Sequence, residues 1–235
     1  MSYENIDHTP EEHYIHKSNW LRAAVLGAND GIISISSLAI GIASANANKD
    51  TLILTTTAGL VAGALSMAAG EYVSVSSQTD IEKHDIEREK KELETMPEWE
   101  LMHLAKIYEK RGLKKETAMQ VAKELTEADA LGAHLREELG IHELNRSNPI
   151  QAAAASALAF LAGGFFPLLA IVLLPVGNVE YFIYFLTIIL LTALGYVSAK
   201  TGGANIVRSI VRVTFWGTIA MVSTALVGYL FGVRV

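Results

Sequence analysis

Three pairs of side chains stand at helical spacing in one polar stretch: Glu89 with Glu92, Glu100 with His103, and His134 with Glu138. Residues three or four apart share one face of a helix, so each pair would present two ligand atoms side by side. Carboxylate with imidazole is an N/O donor set suited to divalent first-row ions such as Fe²⁺, Mn²⁺ or Zn²⁺. The same spacings also serve solvated amphipathic helices, where they only face water. Pro97 separates the first pair from the second and permits the chain to fold back between them.

Two further carboxylates sit where charge is expensive. Asp30, in LGANDGIIS, and Glu71, in ALSMAAGEYVS, fall inside strongly apolar runs, and an ionisable group within a membrane span marks a functional position by default. The bland alternatives are that the run ends before Glu71, leaving it in water, and that Asp30 bonds a neighbouring backbone. Met67 precedes Glu71 by four residues and shares its face. Thioether with carboxylate suits a transition-metal ion better than sodium or a sugar.

The elements that must carry these groups follow from hydropathy. The chain has 235 residues, 51% of them hydrophobic and only 19% charged, against about 25% charged in soluble domains. Residues 79–148 concentrate the charge, with 12 Lys/Arg and 17 Asp/Glu. A spanning helix needs about 20 apolar residues, and the rest of the chain divides into five such runs: Trp20–Ala45, Leu52 to about Ser77, Ile150–Leu174, Val179–Ala199 and Val207–Phe231. The expected fold is therefore all-α: a polytopic membrane protein of five transmembrane helices, with a helical cytoplasmic domain inserted between the second and third. The second span continues in good helix formers as far as Pro97, so one long helix is expected to serve both parts. The expected organisation is a polar N-terminus (1–18), spans one and two (19–78), an acidic domain (79–148) and spans three to five (149–235).

With the N-terminus inside, the short segments place Lys17, Arg22, Lys200, Arg208 and Arg212 on the cytoplasmic side, against Lys49 and Arg234 outside. The positive-inside rule favours that orientation. No basic segment followed by an apolar one opens the chain, so no cleavable signal is expected. Zero cysteines exclude disulfides and thiolate sites. The span count excludes a soluble enzyme and a nucleic-acid binder.

WLRAAVLGANDGIIS, AGALSMAAGEYVSVSSQTD, PEWEL…IYEKRGL and DALGAHLREELGI together resemble the vacuolar iron transporter family, over nearly the whole chain and in the same order. The resemblance implies a homodimeric carrier that moves Fe²⁺, and often Mn²⁺, out of the cytosol in exchange for protons. It implies that Asp30 and Met67 belong to the membrane site. The plant and parasite branch of that family carries a glutamate eight residues before the methionine, where this sequence has Gly59. Either Glu71 takes over that role or the site holds one carboxylate per subunit.

In the polar domain the resemblance assigns Glu89 and Glu92 to one ligand pair and Glu100 to another, with His103 in place of its partner. Glu138 matches a further ligand, and His134 with Leu135 stand where relatives have methionines. Histidine remains a competent ligand and leucine does not. The expected location is a plasma membrane in a prokaryote or a vacuolar membrane in a eukaryote, with Fe²⁺ or Mn²⁺ as cargo and no resident cofactor. Two other readings compete. Glu100-Leu-Met-His103 is an ExxH, as di-iron carboxylate enzymes use, although such sites need two of them. A metal sensor without transport is the other.

Overall fold

The computed structural model describes residues 18–141, 148–175, 177 and 179–232, and its seven long elements are all α-helices. The elements are α1 (Ser18–Ser44), α2 (Lys49–Thr95), α3 (Pro97–Lys110), α4 (Lys115–Glu137), α5 (Pro149–Leu173), α6 (Val179–Thr201) and α7 (Ile206–Gly232). Five of them, α1, α2, α5, α6 and α7, are long and apolar enough to cross a membrane. Most of the polar N-terminal segment, with Lys17, lies outside the described residues, as does Arg234.

The chain divides into two units, one formed by residues up to Tyr72 with Pro149 onward, the other by Val73–Asn148. The helix α2 runs unbroken through the boundary. Its start is capped by Asn48, whose side-chain oxygen accepts from the Thr51 N–H at 2.8 Å, satisfying one of the free donors of a first turn. Asn205 caps α7 in the same way through the Arg208 N–H at 3.0 Å.

In the first unit, α1 packs chiefly against α5, and then against α7 and α6. Small residues make that possible. A methyl group on Gly31 would lie 2.1 Å from the Phe160 carbonyl oxygen, and one on Gly27 would lie 2.3 Å from that of Ser156. On the facing helix, a methyl on Gly163 would lie 2.4 Å from the Ala28 oxygen. Contact between backbones at this range is the small-xxx-small packing of membrane helices. Gly59 and Gly63 of α2 are likewise filled from within the chain, by Leu38 of α1 and the ring of Phe160. Ile35, Leu60, Ala64 and Phe160 form the buried cluster there, with Met67 against it.

The second unit is built on α3 and α4. Pro97 occupies the first turn of α3, where its missing N–H costs nothing, and so α2 ends and α3 begins within two residues. Gly112 takes φ +101° between α3 and α4, a conformation open to glycine at little cost. Leu104 and Ala105 of α3 then bury against Ala122 and Ala133 of α4.

Candidate metal centre

Helical spacing over residues 114–140 is consistent with either one helix or two. The structure gives two helical segments within α4, joined at a kink where Asp129 is extended. The Gly132 N–H donates to the Asp129 side chain at 2.9 Å, so Asp129 acts as an N-cap for the last turns of α4. Those turns carry His134 and Glu138. Asp129 thus positions two ligand candidates that it does not touch.

Glu100, His103, His134 and Glu138 bring one ligand atom each within 4.8 Å of one another. Nδ1 of His134 lies 3.3 Å from Glu138 Oε2 and 3.7 Å from Glu100 Oε2. Nδ1 of His103 lies 3.2 Å and 3.8 Å from the same two oxygens. Glu89 stands beside this group, its Oε1 at 2.9 Å from His134 Nδ1. Glu92 does not join: it accepts from the Arg88 guanidinium at 3.1 Å and keeps that ion pair on α2. Of the six residues paired by helical spacing, then, four converge on one point, Glu89 flanks them and Glu92 turns aside.

Burial divides the group into a floor and a mouth. Glu100 and His134 are 1% and 0% exposed, and Glu89 is buried with them. The His103 and Glu138 side chains keep 30% and 25% of their surface in solvent. Trp99 stacks on the His103 ring at 5.0 Å between centroids and holds it at that mouth. Three carboxylates face two imidazoles here, and Arg88 is already engaged by Glu92. Burial raises the pKa of both Glu89 and Glu100, and neighbouring carboxylates raise them further: Glu138 and Glu92 act on Glu89, and Glu89 itself on Glu100. The site is short of positive charge, which a divalent cation would supply.

His134 carries a second sign. Its Nδ1 faces three carboxylates, while its Nε2 is buried with no hydrogen-bond partner. One oxygen of Glu100 is also buried unpartnered. Native proteins seldom leave buried polar atoms unmet unless an ion, a water or a function accounts for them. A metal at Nδ1 would displace the proton that otherwise bridges imidazole and carboxylate.

In the membrane-type unit, Asp30 Oδ1 accepts from the Ser34 hydroxyl one turn on, a side-chain contact within α1 rather than the bond to a neighbouring backbone that the bland reading of Asp30 expects. Met67 is half-buried against the cluster of Ile35, Leu60, Ala64 and Phe160, and the Phe160 backbone also meets Gly31 beside Asp30. Phe160 of α5 thus belongs to the cluster on which Met67 rests and lies against the Asp30 turn. Glu71 is half-buried on α2. Sequence reasoning missed Gly27 and Gly31, whose four-residue spacing in GANDG was the available signal, and it missed the cap at Asp129.

Residues 21–229 match the model of the VIT family. The chain is 42% identical over 233 residues to the vacuolar iron transporter of Acanthamoeba castellanii, covering 97% of this chain and 85% of that protein. It is 39% identical over 216 residues to vacuolar iron transporter homolog 2 of Oryza sativa subsp. japonica, covering 92% of each. Against vacuolar iron transporter homolog 2 of Arabidopsis thaliana the identity is 37% over 216 residues, covering 90% and 84%.

Proposed function

The chain belongs to the VIT family, and from that premise we propose that it carries Fe²⁺, and Mn²⁺ with it, out of the cytosol in exchange for protons. The observation that carries this reading is the convergence of Glu100, His103, His134 and Glu138 in a chain with five helices fit to span a membrane. In this reading residues 79–148 form a cytoplasmic domain that captures the ion. The excess of Lys/Arg in the short segments on the same side supports that orientation.

Within the membrane, Asp30 and Met67 would bind the ion, with Glu71 or the Asp30 of a second copy supplying further charge. A carboxylate there binds either metal or proton, and linkage makes each weaken the other. Loading at a near-neutral face and release at an acidic face follow. A homodimer accords with the single Asp30 per chain.

A di-iron enzyme is served less well, because Glu100-Leu-Met-His103 is the only ExxH in the sequence and such sites use two. Reconstitution separates the readings. Proteoliposomes with an acidic lumen should accumulate Fe²⁺ under anaerobic conditions, and a protonophore should stop net accumulation. A sensor or an oxidase would leave lumenal metal unchanged, and that result would reject transport.

A further inference from the structure

At one end of the membrane-type unit, α1, α6 and α7 enclose a groove of about 390 Å³. Its polar lining is Arg22, Asn29, Ser198, Ser209 and Arg212. Among the described residues neither arginine has a carboxylate partner, since every ion pair found involves other side chains. Ser209 is buried at 4% exposure. Asn29 has its amide oxygen buried with no hydrogen-bond partner, and turning that amide over would present its NH₂ to an anion. Gly195 lines the groove where α6 and α7 approach closely, since a methyl there would lie 2.9 Å from the Ile210 Cα.

The rest of the lining is apolar, including Leu26, Leu194 and Val213. A groove with two arginines is no path for a divalent cation, which it would repel. Fixed positive charge at the end of a set of spanning helices, with apolar walls running along them, matches a lipid whose head is anionic and whose tails are hydrocarbon. A free phosphate would satisfy the arginines and leave the apolar walls unfilled.

We propose that this groove binds an anionic phospholipid, its phosphate held by Arg22 and Arg212 and its acyl chains lying against Leu26, Leu194 and Val213. The inference needs these helices to lie in a bilayer with this end at the cytoplasmic face, and it is independent of the transport reading. Its place on the side richest in short-segment Lys/Arg puts it in the leaflet that carries anionic lipid.

The test uses the purified full-length protein, with retained lipid counted by native mass spectrometry after exposure to phosphatidylglycerol or phosphatidylcholine. The wild type should retain phosphatidylglycerol in preference. The double substitution Arg22→Gln with Arg212→Gln should weaken that retention about tenfold or more, on the strength of two basic groups near a headgroup. Arg22→Lys with Arg212→Lys should keep most of it. Arg208→Gln, on α7 outside the groove, should leave it unchanged, and millimolar inorganic phosphate should not displace the lipid. Circular dichroism checks that the glutamine pair folds, and where it does not, the two single substitutions give the same reading at smaller amplitude. Equal retention by the glutamine variants and the wild type would overturn the proposal. So would equal retention of phosphatidylcholine, or displacement by phosphate.

Discussion

Nδ1 of His134 lies 2.9 Å from Glu89 Oε1, and both side chains are buried. The contact joins α2 to α4, elements whose polar pairs stand far apart in sequence. The same nitrogen hydrogen-bonds Glu138 at 3.3 Å, and a metal bound at Nδ1 would take the place of that hydrogen bond.

Glu100 and Glu92 should therefore behave differently, although helical spacing marks both. Glu100 is buried in the group of four, whereas Glu92 is tied to Arg88. Glu100→Gln should lower the Mn²⁺ affinity of the high-affinity site by about 100-fold or more, beyond the roughly 10- to 100-fold that loss of an outer partner brings. Glu92→Gln should change it only a few-fold. Calorimetric titration of the full chain in detergent compares them, and equal losses would dissociate affinity from this geometry.

The raised pKa values of Glu89 and Glu100 fix the sign of a pH effect. A carboxyl group whose folded pKa exceeds its unfolded one binds more protons when folded, so stability falls as pH rises through the folded value. The metal-free unit should thus lose stability as pH climbs from the ordinary carboxylate range through those raised values. Metal binding needs the ionised form, so affinity should rise across the same window and protons should be released on binding. Titrations in two buffers of different ionisation enthalpy count those protons. No proton release at a pH within that window would contradict the assignment.

Gly31 and Gly70 make a matched contrast. Gly31→Ala would press a methyl into the Phe160 carbonyl, whereas nothing lies within 4 Å of a methyl on Gly70. Overpacking of this kind costs about 1–3 kcal/mol, so Gly31→Ala should lower the thermal midpoint and, because Asp30 is the adjacent residue, slow transport. Gly70→Ala, inside α2 with open space around it, should hold stability or raise it by about 0.5–1 kcal/mol through helix propensity. Similar midpoints for the two variants would show that α1 does not depend on this close approach to α5.

Much of this was legible in the residues. Apolar runs of spanning length bound the five long helices, since hydropathy is local and needs no knowledge of neighbours. Pairs such as His134 with Glu138 were visible because helical periodicity is local too. What escaped was convergence. Nothing in the spacing of Glu89 and Glu92 says that one faces His134 and the other Arg88, because that depends on the packing of α3 and α4 and on the break at Asp129. The same holds for Asp30. Its neighbours in sequence, Gly27 and Gly31, hinted at a close-packed face, while the partner helix, α5, lies more than a hundred residues away along the chain.

Exchange of metal for protons through Asp30 is tested most directly by following both ions at once. Proteoliposomes with equal pH on both sides, given external Fe²⁺ anaerobically, would carry one lumenal dye for metal and another for pH. Entry of Fe²⁺ through the wild type should drive protons out, so the lumen should become alkaline as metal accumulates, and Asp30→Ala at matched reconstitution should show neither change. Fe²⁺ entry without alkalinisation, or undiminished entry through Asp30→Ala, would contradict the exchange mechanism.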